Sequence, residues 1–225
     1  MANPLLTAYR RAFFHVYGWA TLRLYDELAW AYDPISRFVS AGRWDAWRRF
    51  ALDYVTGSRV LELGFGTGEL LLALRRQGHA AIGLDLSRPM HRVLGRKIAS
   101  QGIPVPRLLA RAEQLPLRSG WFDTVVSTFP AGYILGAATL KEVRRVLAPG
   151  GRLVIAGLIV QIPHSPRYPL SVVPGGAWPR LWAYFQGVAG EAGLVCTVTW
   201  RQDGRARVPV IVCTRSEEEH GKTAA

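Results

Sequence analysis

The chain has 225 residues, enough for one domain of ordinary size with a large core. Its formal net charge is +12, carried almost entirely by arginines that are spread along the chain without forming a basic block, so we expect only weak, non-specific binding of anions. The longest uncharged stretch near the N-terminus, residues 12–22, is too short to cross a bilayer, and we expect no secretory signal.

Apolar residues recur every three or four positions between residues 4 and 30, for example at Leu5, Tyr9, Phe13 and Val16. This spacing predicts one or two amphipathic helices at the start of the fold. Two interpretations stay open. The apolar stripe packs on the protein's own domain, or it lies on a lipid surface as a peripheral membrane contact. We expect a cytoplasmic protein, with membrane contact through residues 4–30 as the alternative.

A further helix is predicted from Ile35 to Tyr54. Asp33 and Pro34 form a favourable start, because an aspartate caps the first N–H groups and proline fits the first turn. Thr56-Gly57 is expected to end this helix, since glycine readily adopts the conformation that follows many helices.

A short apolar strand, Arg59–Leu63, is followed by a helical segment, Glu69–Gln77, with leucines on one face. The turn between them contains glycines at 64, 66 and 68. Glycine allows positive φ angles and a close approach of the backbone to a ligand, and the first N–H groups of the helix have no partner within it. The sequence therefore predicts a ligand site at this turn.

The spacing of the glycines indicates which ligand the turn accepts. A dinucleotide-binding turn has the pattern G-x-G-x-x-G and places a pyrophosphate at the helix N-terminus. Here the third glycine comes one residue earlier, and Glu69 takes the place where that site needs a small residue. A carboxylate would repel a pyrophosphate, so we predict a ligand other than NAD.

The second strand is predicted at Ala80–Leu86, and Asp85 near its end lies about twenty residues beyond the glycine turn. In a doubly wound sheet this strand end lies beside the turn, where a carboxylate can accept hydrogen bonds from both hydroxyl groups of a ribose. The alternative is that Asp85 caps the helix that Ser87 and Pro89 open. We favour the ribose role, because Ser87 can provide the cap.

Three more strands are predicted at Arg107–Ala110, Phe122–Phe129 and Arg152–Leu158, the last after a helix and a Pro-Gly-Gly turn. Strands that alternate with helices indicate an α/β fold. Asp123, early in the second of these strands, is expected to hold neighbouring backbone. The second of these strands ends in a tip at Thr128-Phe129.

The last part of the chain contains a helix near 181–189 and two alternating strands, Val195–Arg201 and Val208–Arg215. They predict a hairpin around Asp203-Gly204. Cys196 and Cys213 fall in these strands, and we expect buried free thiols, as in a reducing cytoplasm.

Five sequence elements follow one another in a characteristic order and spacing. They are the E-x-G-x-G-x-G turn that begins at Glu62, Gly83-Leu84-Asp85-Leu86-Ser87, the segment Ala112–Leu117, the segment Phe122–Val126 and the segment Glu142–Gly151. Together they resemble the class I S-adenosylmethionine (SAM) methyltransferases, in particular the branch that includes the quinone-biosynthesis C-methyltransferases. Tyr25–Asp33 also resembles a segment that precedes the fold in this branch and helps to close the SAM pocket.

The resemblance implies an α/β fold, a Rossmann-like doubly wound sheet of seven strands with an antiparallel last strand, in three α/β/α layers and preceded by N-terminal helices. It divides the chain into a helical extension that covers the pocket (1–57), a SAM-binding core (58–215) with a proline- and glycine-rich lid (161–180), and a disordered tail (216–225).

SAM is the implied cofactor and S-adenosylhomocysteine the product, with no metal; the five histidines are scattered. Positions that match the cofactor site of the family are Tyr32, Glu62, Gly64, Phe65, Gly66, Gly68, Asp85, Leu86, Ala112, Glu113, Thr128 and Phe129. For Tyr32, a core aromatic with a satisfied hydroxyl is an equal alternative.

One position departs from the family. The residue before Ala112 is usually an aspartate that accepts from the adenine amino group, whereas this chain has Arg111, which has no acceptor. Either Glu113 or a backbone carbonyl reads the adenine, or the adenine is held only between apolar walls.

The expected function is methyl transfer to a small or lipid-like acceptor, such as a quinone, aromatic, polyketide or isoprenoid compound. The N-terminal helix and the lid would form an apolar chamber over the methyl group. His164 in the lid is the best candidate for a catalytic base, although a surface histidine is the more common case. The alternatives are an RNA methyltransferase that uses the positive charge and a non-catalytic accessory protein that binds SAM.

Overall fold

The structure, a computed structural model of the protein, describes residues 34, 40, 42–161 and 178–216. The helices are α1 (Trp44–Arg49), α2 (Glu69–Arg76), α3 (Arg88–Gln101), α4 (Ala137–Val146) and α5 (Trp178–Glu191). The strands are β1 (Arg59–Leu63), β2 (Ala80–Asp85), β3 (Arg107–Leu109), β4 (Phe122–Thr128), β5 (Leu147–Ala156), β6 (Leu194–Asp203) and β7 (Ala206–Arg215). Short 3-10 turns occur at Leu52–Tyr54 and Gly132–Leu135.

The seven strands form one sheet in the order β3-β2-β1-β4-β5-β7-β6. Strands β1 to β5 are parallel, and β7 runs antiparallel to both of its neighbours, β5 and β6. The predicted α/β fold with seven strands and an antiparallel last strand is therefore confirmed. No helix in the described ranges combines the length and the apolar character needed to cross a bilayer.

Helices cover both faces of the sheet. Neighbouring residues of a strand point to opposite faces, so each strand contributes alternate residues to two cores. In β4, Val125 packs with Leu140 and the valines of α4 and with Phe185 of α5, whereas Val126 packs with α2 and α3. Leu153 and Val154 of β5 divide in the same way. These two cores, one on each face, give the predicted three-layer arrangement.

The order of the strands places a crevice above the centre of the sheet. The chain leaves β1 toward β2 on one side, and β4 lies on the other side of β1, so the connections diverge at the carboxyl end of β1. Ligands of open α/β sheets bind at such a point. Asp123 lies at the opposite end of β4 and accepts from the backbone N–H groups of Ser58 and Arg59 as well as from the Arg59 guanidinium group, which confirms its predicted structural role.

The predicted helix from Ile35 to Tyr54 is wrong in its described part. Gly42 has φ +82, the α-helix covers only Trp44–Arg49, and a 3-10 turn follows at Leu52–Tyr54. A left-handed residue cannot continue a right-handed helix, so Gly42 separates α1 from whatever precedes it.

The prediction of free thiols is also wrong, because Cys196 and Cys213 form a disulfide between β6 and β7. The hairpin turns at residues 204–205, and Asp203 pairs with Ala206. A turn centred one residue earlier, on Asp203-Gly204, would place Ile211 opposite Cys196. With the observed turn, Cys213 lies opposite Cys196, and their Cα atoms are 4.0 Å apart.

Candidate functional site

The turn after β1 is built from glycines in the left-handed region. Gly64, Gly66 and Gly68 have φ values of +68, +54 and +83. Gly64 and Gly66 line a cavity, and a Cβ at Gly66 would project into open space. Gly68 caps the N-terminus of α2 and packs against Leu94 of α3, so its role is in packing. The turn is thus an open backbone cradle at the carboxyl end of β1.

The cavity above this cradle has a volume of about 390 Å³, within the range of small-molecule sites. Its walls come from the carboxyl ends of β1, β2, β3 and β4 and from α1. The lining residues are Trp44, Arg48, Gly64, Phe65, Gly66, Thr67, Leu84, Asp85, Leu86, Ser87, Ala110, Arg111, Ala112, Glu113, Thr128, Phe129, Pro130, Ala131 and Tyr133.

The structure gathers most of the residues that the sequence predicted. The predicted residues in the cavity wall are Gly64, Phe65, Gly66, Asp85, Leu86, Ala112, Glu113, Thr128 and Phe129. Glu62 and Gly68 lie outside that wall. Tyr32 and His164 lie outside the described residues, as do the N-terminal helix, the Tyr25–Asp33 segment, residues 162–177 of the lid and residues 217–225 of the tail.

Asp85 connects the glycine turn to the start of α3. One carboxylate oxygen accepts from the N–H of Gly66 and the other from the N–H of Ser87, both at 2.8 Å. Burial raises the pKa of Asp85, while these two N–H groups favour its charged form. Ser87 itself caps α3 by accepting from the N–H of Met90. Asp85 thus lies in the cavity wall as a buried acceptor whose orientation is fixed.

Arg48 is a site residue that the sequence analysis missed. It is only 8% exposed, lines the cavity, and has as its ion-pair partner Asp45, at 3.5 Å one helical turn away and partly exposed. A signal was present, because Arg48 falls on the apolar stripe of Trp44, Trp47 and Ala51 at helical spacing. A cation on such a stripe either snorkels to solvent or serves a buried site.

Glu62 lies in β1, two residues before Gly64, and is 1% exposed. Burial raises its pKa well above the usual value, whereas the charge of Arg48 and the N–H of Leu71 lower it. One of its carboxylate oxygens has no hydrogen-bond donor. A buried polar atom without a partner is costly, so this oxygen is available to a donor that the described residues do not provide.

The tip of β4 carries an aromatic wall. Phe129 has φ +48 and is the one non-glycine residue with positive φ in the described ranges. Its ring stacks on Trp44 with centroids 3.8 Å apart, and it lies so close to Gly157 that a Cβ there would overlap the ring. Strained backbone often marks functional positions. The Nε1–H of Trp44 is buried without a hydrogen-bond acceptor.

Contacts from the distant β6–β7 hairpin hold α1, and with it Trp44 and Arg48, in place. Asp203 at the end of β6 accepts from the Nε1–H of Trp47 at 2.8 Å and forms an ion pair with Arg43. Trp47 is buried against the hairpin in a small cluster that includes Ala206 and Val208. These contacts fix one wall of the cavity from outside the parallel sheet.

Tyr133, in the 3-10 turn after β4, fixes the end of β1. Its hydroxyl lies 2.9 Å from both Ser127 Oγ and the carbonyl oxygen of Leu63, and Ser127 also donates to that carbonyl at 2.7 Å. Burial raises the pKa of Tyr133, so this hydroxyl stays protonated and cannot act as a base. The network ties the β4 side of the cavity to the residue just before Gly64.

The part of the cavity beside β2 and β3 is bounded by Leu86, Ala112 and the exposed side chains of Arg111 and Glu113. Leu86 is 57% exposed and provides apolar surface in the cavity wall. The carbonyl of Arg111 already accepts from the N–H of Gln114. On this side of the cavity, the side chain that can accept a hydrogen bond from a ligand is therefore that of Glu113.

These features fit SAM. The open Cβ position at Gly66 leaves room where a side chain would block a ligand, and the Asp85 carboxylate faces the region between β2 and the turn. Arg48 provides a buried positive charge, and Glu62 an oxygen without a partner. In the described ranges, no three His, Cys, Asp or Glu side chains gather in a way that could hold a metal ion.

Comparison with known proteins gives matches of several kinds. Residues 60–151 match the family described as a methyltransferase domain. A demethylmenaquinone methyltransferase of Thermus thermophilus is 33% identical over 177 residues, which cover 76% of this chain and 79% of the relative. A ubiquinone/menaquinone biosynthesis C-methyltransferase of Geotalea uraniireducens is 33% identical over 141 residues, or 59% of this chain and 60% of that protein.

Solved structures share the fold. A putative SAM-dependent methyltransferase of Methanococcus maripaludis has a TM-score of 0.61 and 18% identity, with coverage of 85% of this chain and 94% of that one. An N-methyltransferase of Haemonchus contortus in complex with S-adenosylhomocysteine has a TM-score of 0.57 and 15% identity, with coverage of 78% and 53%. At these identities the likeness concerns the fold alone.

Proposed function

Because this chain belongs to the class I SAM-dependent methyltransferases, in the quinone-biosynthesis type, we propose that it methylates a ring carbon of a planar, quinol-like lipid acceptor. The cofactor is SAM, which supplies an electrophilic methyl group on a sulfonium centre. The new bond forms between the methyl group and the ring carbon, the electrons of the broken C–S bond stay on sulfur, and the ring carbon releases its proton.

The observation that carries the acceptor class is the aromatic wall at the tip of β4. Trp44 and Phe129 stack on each other, and Pro130 and Ala131 continue the wall, so this side of the cavity presents apolar surface with few polar groups. Apolar walls with a small number of placed polar groups are typical of small-molecule sites. An aromatic acceptor gains more from such a wall than a sugar or a phosphate does.

Cofactor residues surround the opposite side of the cavity. We propose that Asp85 accepts hydrogen bonds from the ribose, and that Arg48 pairs with the carboxylate of the methionine part. The oxygen of Glu62 without a partner would serve the ammonium group. Glu113 is proposed to accept from the adenine amino group, in place of the aspartate that Arg111 replaces.

The residues of this chain act mainly by positioning. In-line displacement gains most of its rate from alignment of donor and acceptor and from exclusion of water. The Tyr133–Ser127–Leu63 network fixes the turn on one side, and the Trp44–Phe129 stack fixes the wall on the other. Tyr133 stays protonated, so His164 in the lid remains our candidate for the group that accepts the ring proton.

An in vitro transfer assay tests the function. The purified protein is incubated with isotope-labelled SAM and one of three acceptors: a short-chain prenyl naphthoquinol, a small amine and a mixed-sequence RNA. We expect label in the naphthoquinol, with mass spectrometry placing the methyl group on carbon. SAM binding without turnover of any acceptor would identify a non-catalytic binding protein, and label in the RNA alone would assign the RNA function.

Phe129→Ala tests the acceptor wall. Loss of the stacked ring should lower kcat/KM for the naphthoquinol about fivefold or more, because aromatic pairs contribute about 1 kcal/mol beyond their buried area. The affinity for SAM should stay within about twofold. Tyr184→Ala, which removes an exposed aromatic ring from α5, is the control and should leave both constants unchanged. An equal loss of SAM affinity in Phe129→Ala would contradict the assignment to the acceptor.

Asp85→Asn and Arg48→Gln test the cofactor side by calorimetry. Each removes a charged group that we propose contacts SAM, so each should weaken binding by roughly 1.5–3 kcal/mol. Asp123→Asn removes a structural carboxylate at the other end of the sheet, and Arg49→Gln removes the exposed neighbour of Arg48. Both controls should bind SAM normally. Unchanged affinity in Asp85→Asn would leave this residue with its structural role at Gly66 and Ser87.

A further inference from the structure

The outer face of α3 carries a row of three arginines. Arg88, Arg92 and Arg96 are spaced four residues apart, so they lie one above the other along the helix, about 6 Å per step. All three are exposed. Helix α3 contains no aspartate or glutamate in its 14 residues, so nothing on the helix neutralises this row.

The three arginines have no protein partner in the described part of the chain, where none of them forms an ion pair or hydrogen bond. Lys97 on the inner side of the same helix pairs with Glu69 at 2.6 Å. Of the other nearby carboxylates, Asp85 is held by the N–H groups of Gly66 and Ser87. Glu113 is the one exposed carboxylate beside this end of the cavity, and it stands two residues from the exposed Arg111.

The row begins at the rim of the cavity. Ser87 lines the cavity, and Arg88 is the next residue; Arg111 lies on the same rim. Leu109 at the end of β3 is 45% exposed and does not line the cavity, and β3 pairs with β2, whose end forms part of the cavity wall. We call Arg88, Arg92, Arg96 and Leu109 the α3 face; it combines exposed guanidinium groups with one exposed leucine beside the entrance to the site.

We propose that the α3 face docks the protein on an anionic lipid bilayer and so holds the cavity rim at the edge of the membrane contact. This inference rests on the proposed lipid-like acceptor, because a lipid acceptor resides in the bilayer. Each arginine near the surface of an anionic bilayer is attracted to the lipid headgroups by about the same free energy. An exposed leucine beside the arginines can enter the interfacial region of the bilayer. Surfaces that bind single-stranded nucleic acid instead place aromatic side chains among the cations, and α3 contains no Phe, Tyr or Trp.

Vesicle sedimentation tests the docking without any acceptor. The full chain is mixed with vesicles of phosphatidylcholine alone or with added phosphatidylglycerol, over a range of salt. We expect binding only with phosphatidylglycerol, weakening as salt screens the charges. Arg88, Arg92 and Arg96 changed together to Gln should reduce this binding about 100-fold.

A matched variant controls for net charge. Arg49, Arg180 and Arg205 are exposed arginines on other elements, and their joint change to Gln removes the same charge. This control should bind the vesicles within about threefold of the unchanged protein, because the effect depends on where charge lies. Equal losses in the two triple variants, or no binding to anionic vesicles, would overturn the proposal.

Leu109→Ser separates lipid from nucleic acid. Leu109 does not line the cavity, so SAM binding should stay normal, while vesicle binding should fall several-fold because an inserted leucine is lost. RNA binding that depends on the three arginines, persists at physiological salt and ignores Leu109, with no vesicle binding, would assign the face to nucleic acid and contradict the proposal.

Two transfer assays separate this inference from the proposed function. The α3 variant should methylate a detergent-dispersed short-chain naphthoquinol normally and an acceptor embedded in anionic vesicles poorly. If the unchanged protein methylates neither acceptor but still binds vesicles through α3, the proposed function fails while the docking stands. Normal transfer to the embedded acceptor by the α3 variant would overturn the docking alone.

Discussion

Replacing Gly64 with alanine tests the packing that holds the cofactor turn. A Cβ at this position would overlap the hydroxyl oxygen of Tyr133 and lie 3.3 Å from its Cζ atom. The φ of +68 costs an alanine about 1 kcal/mol. Displacing the hydroxyl breaks its contacts with Ser127 and the Leu63 carbonyl, worth about 1 kcal/mol each. We expect the free energy of unfolding to fall by about 3 kcal/mol.

Tyr133→Phe is the matched background for this change. Without the hydroxyl, the overlap disappears and only the φ cost and the tight contact with Cζ remain. Gly64→Ala should then cost about 1.5 kcal/mol, so a double-mutant cycle measured by urea denaturation should give a coupling of about 1.5 kcal/mol. If the losses in unfolding free energy of Gly64→Ala and Tyr133→Phe add to within about 0.5 kcal/mol in the double variant, the Tyr133 hydroxyl is not what excludes a side chain at Gly64, and the reasoning fails.

Three further predictions concern charge and the disulfide. Burial raises the pKa of Glu62, so the folded chain holds a proton that the unfolded chain has released, and stability falls as pH rises above 4.5 toward the raised value. Glu62→Gln should remove this fall in thermal melts taken across pH while weakening SAM binding; parallel curves for both proteins would contradict it. The Arg59 guanidinium group lowers the pKa of Asp123 to about 2, so the carboxylate stabilises the fold above pH 4 and loses this effect as pH falls through 2. Asp123→Asn should therefore lower the free energy of unfolding by about 1 kcal/mol above pH 4, after allowance for solvent screening, and leave it unchanged below pH 2 in acid titrations. Changing Cys196 and Cys213 together to Ser should lower the free energy of unfolding by roughly 3 kcal/mol under oxidising conditions, with no difference from the unchanged protein once a reductant is present.

Residues at the ends of strands could be predicted from the sequence, because their positions follow from local patterns. The apolar run before Gly64, the strand that ends at Asp85 and the tip at Thr128 each sit at the carboxyl edge of one parallel sheet. Placing three such ends together needs no knowledge of long-range packing. This is why the glycine turn, Asp85, Ala112 and Phe129 share one cavity as expected.

Residues that depend on distant contacts could not be predicted in the same way. Trp44 and Arg48 reach the cavity because Asp203 holds α1 through Trp47, a residue 156 positions away in the chain. Tyr133 enters through a 3-10 turn that carries no periodic signal. In the hairpin, a shift of one residue in the turn decided which residue faces Cys196.

The anchoring of α1 by the β6–β7 hairpin has a consequence for how this enzyme can diverge. Both elements lie outside residues 60–151, the part that matches the methyltransferase family, and yet they support the wall that Trp44 contributes. Substitutions at Asp203, Ala206 or Val208 can tilt that wall without altering the glycine turn. Selection for a new acceptor can therefore act on the flanks of the chain, while the glycine turn and Asp85 are inherited unchanged.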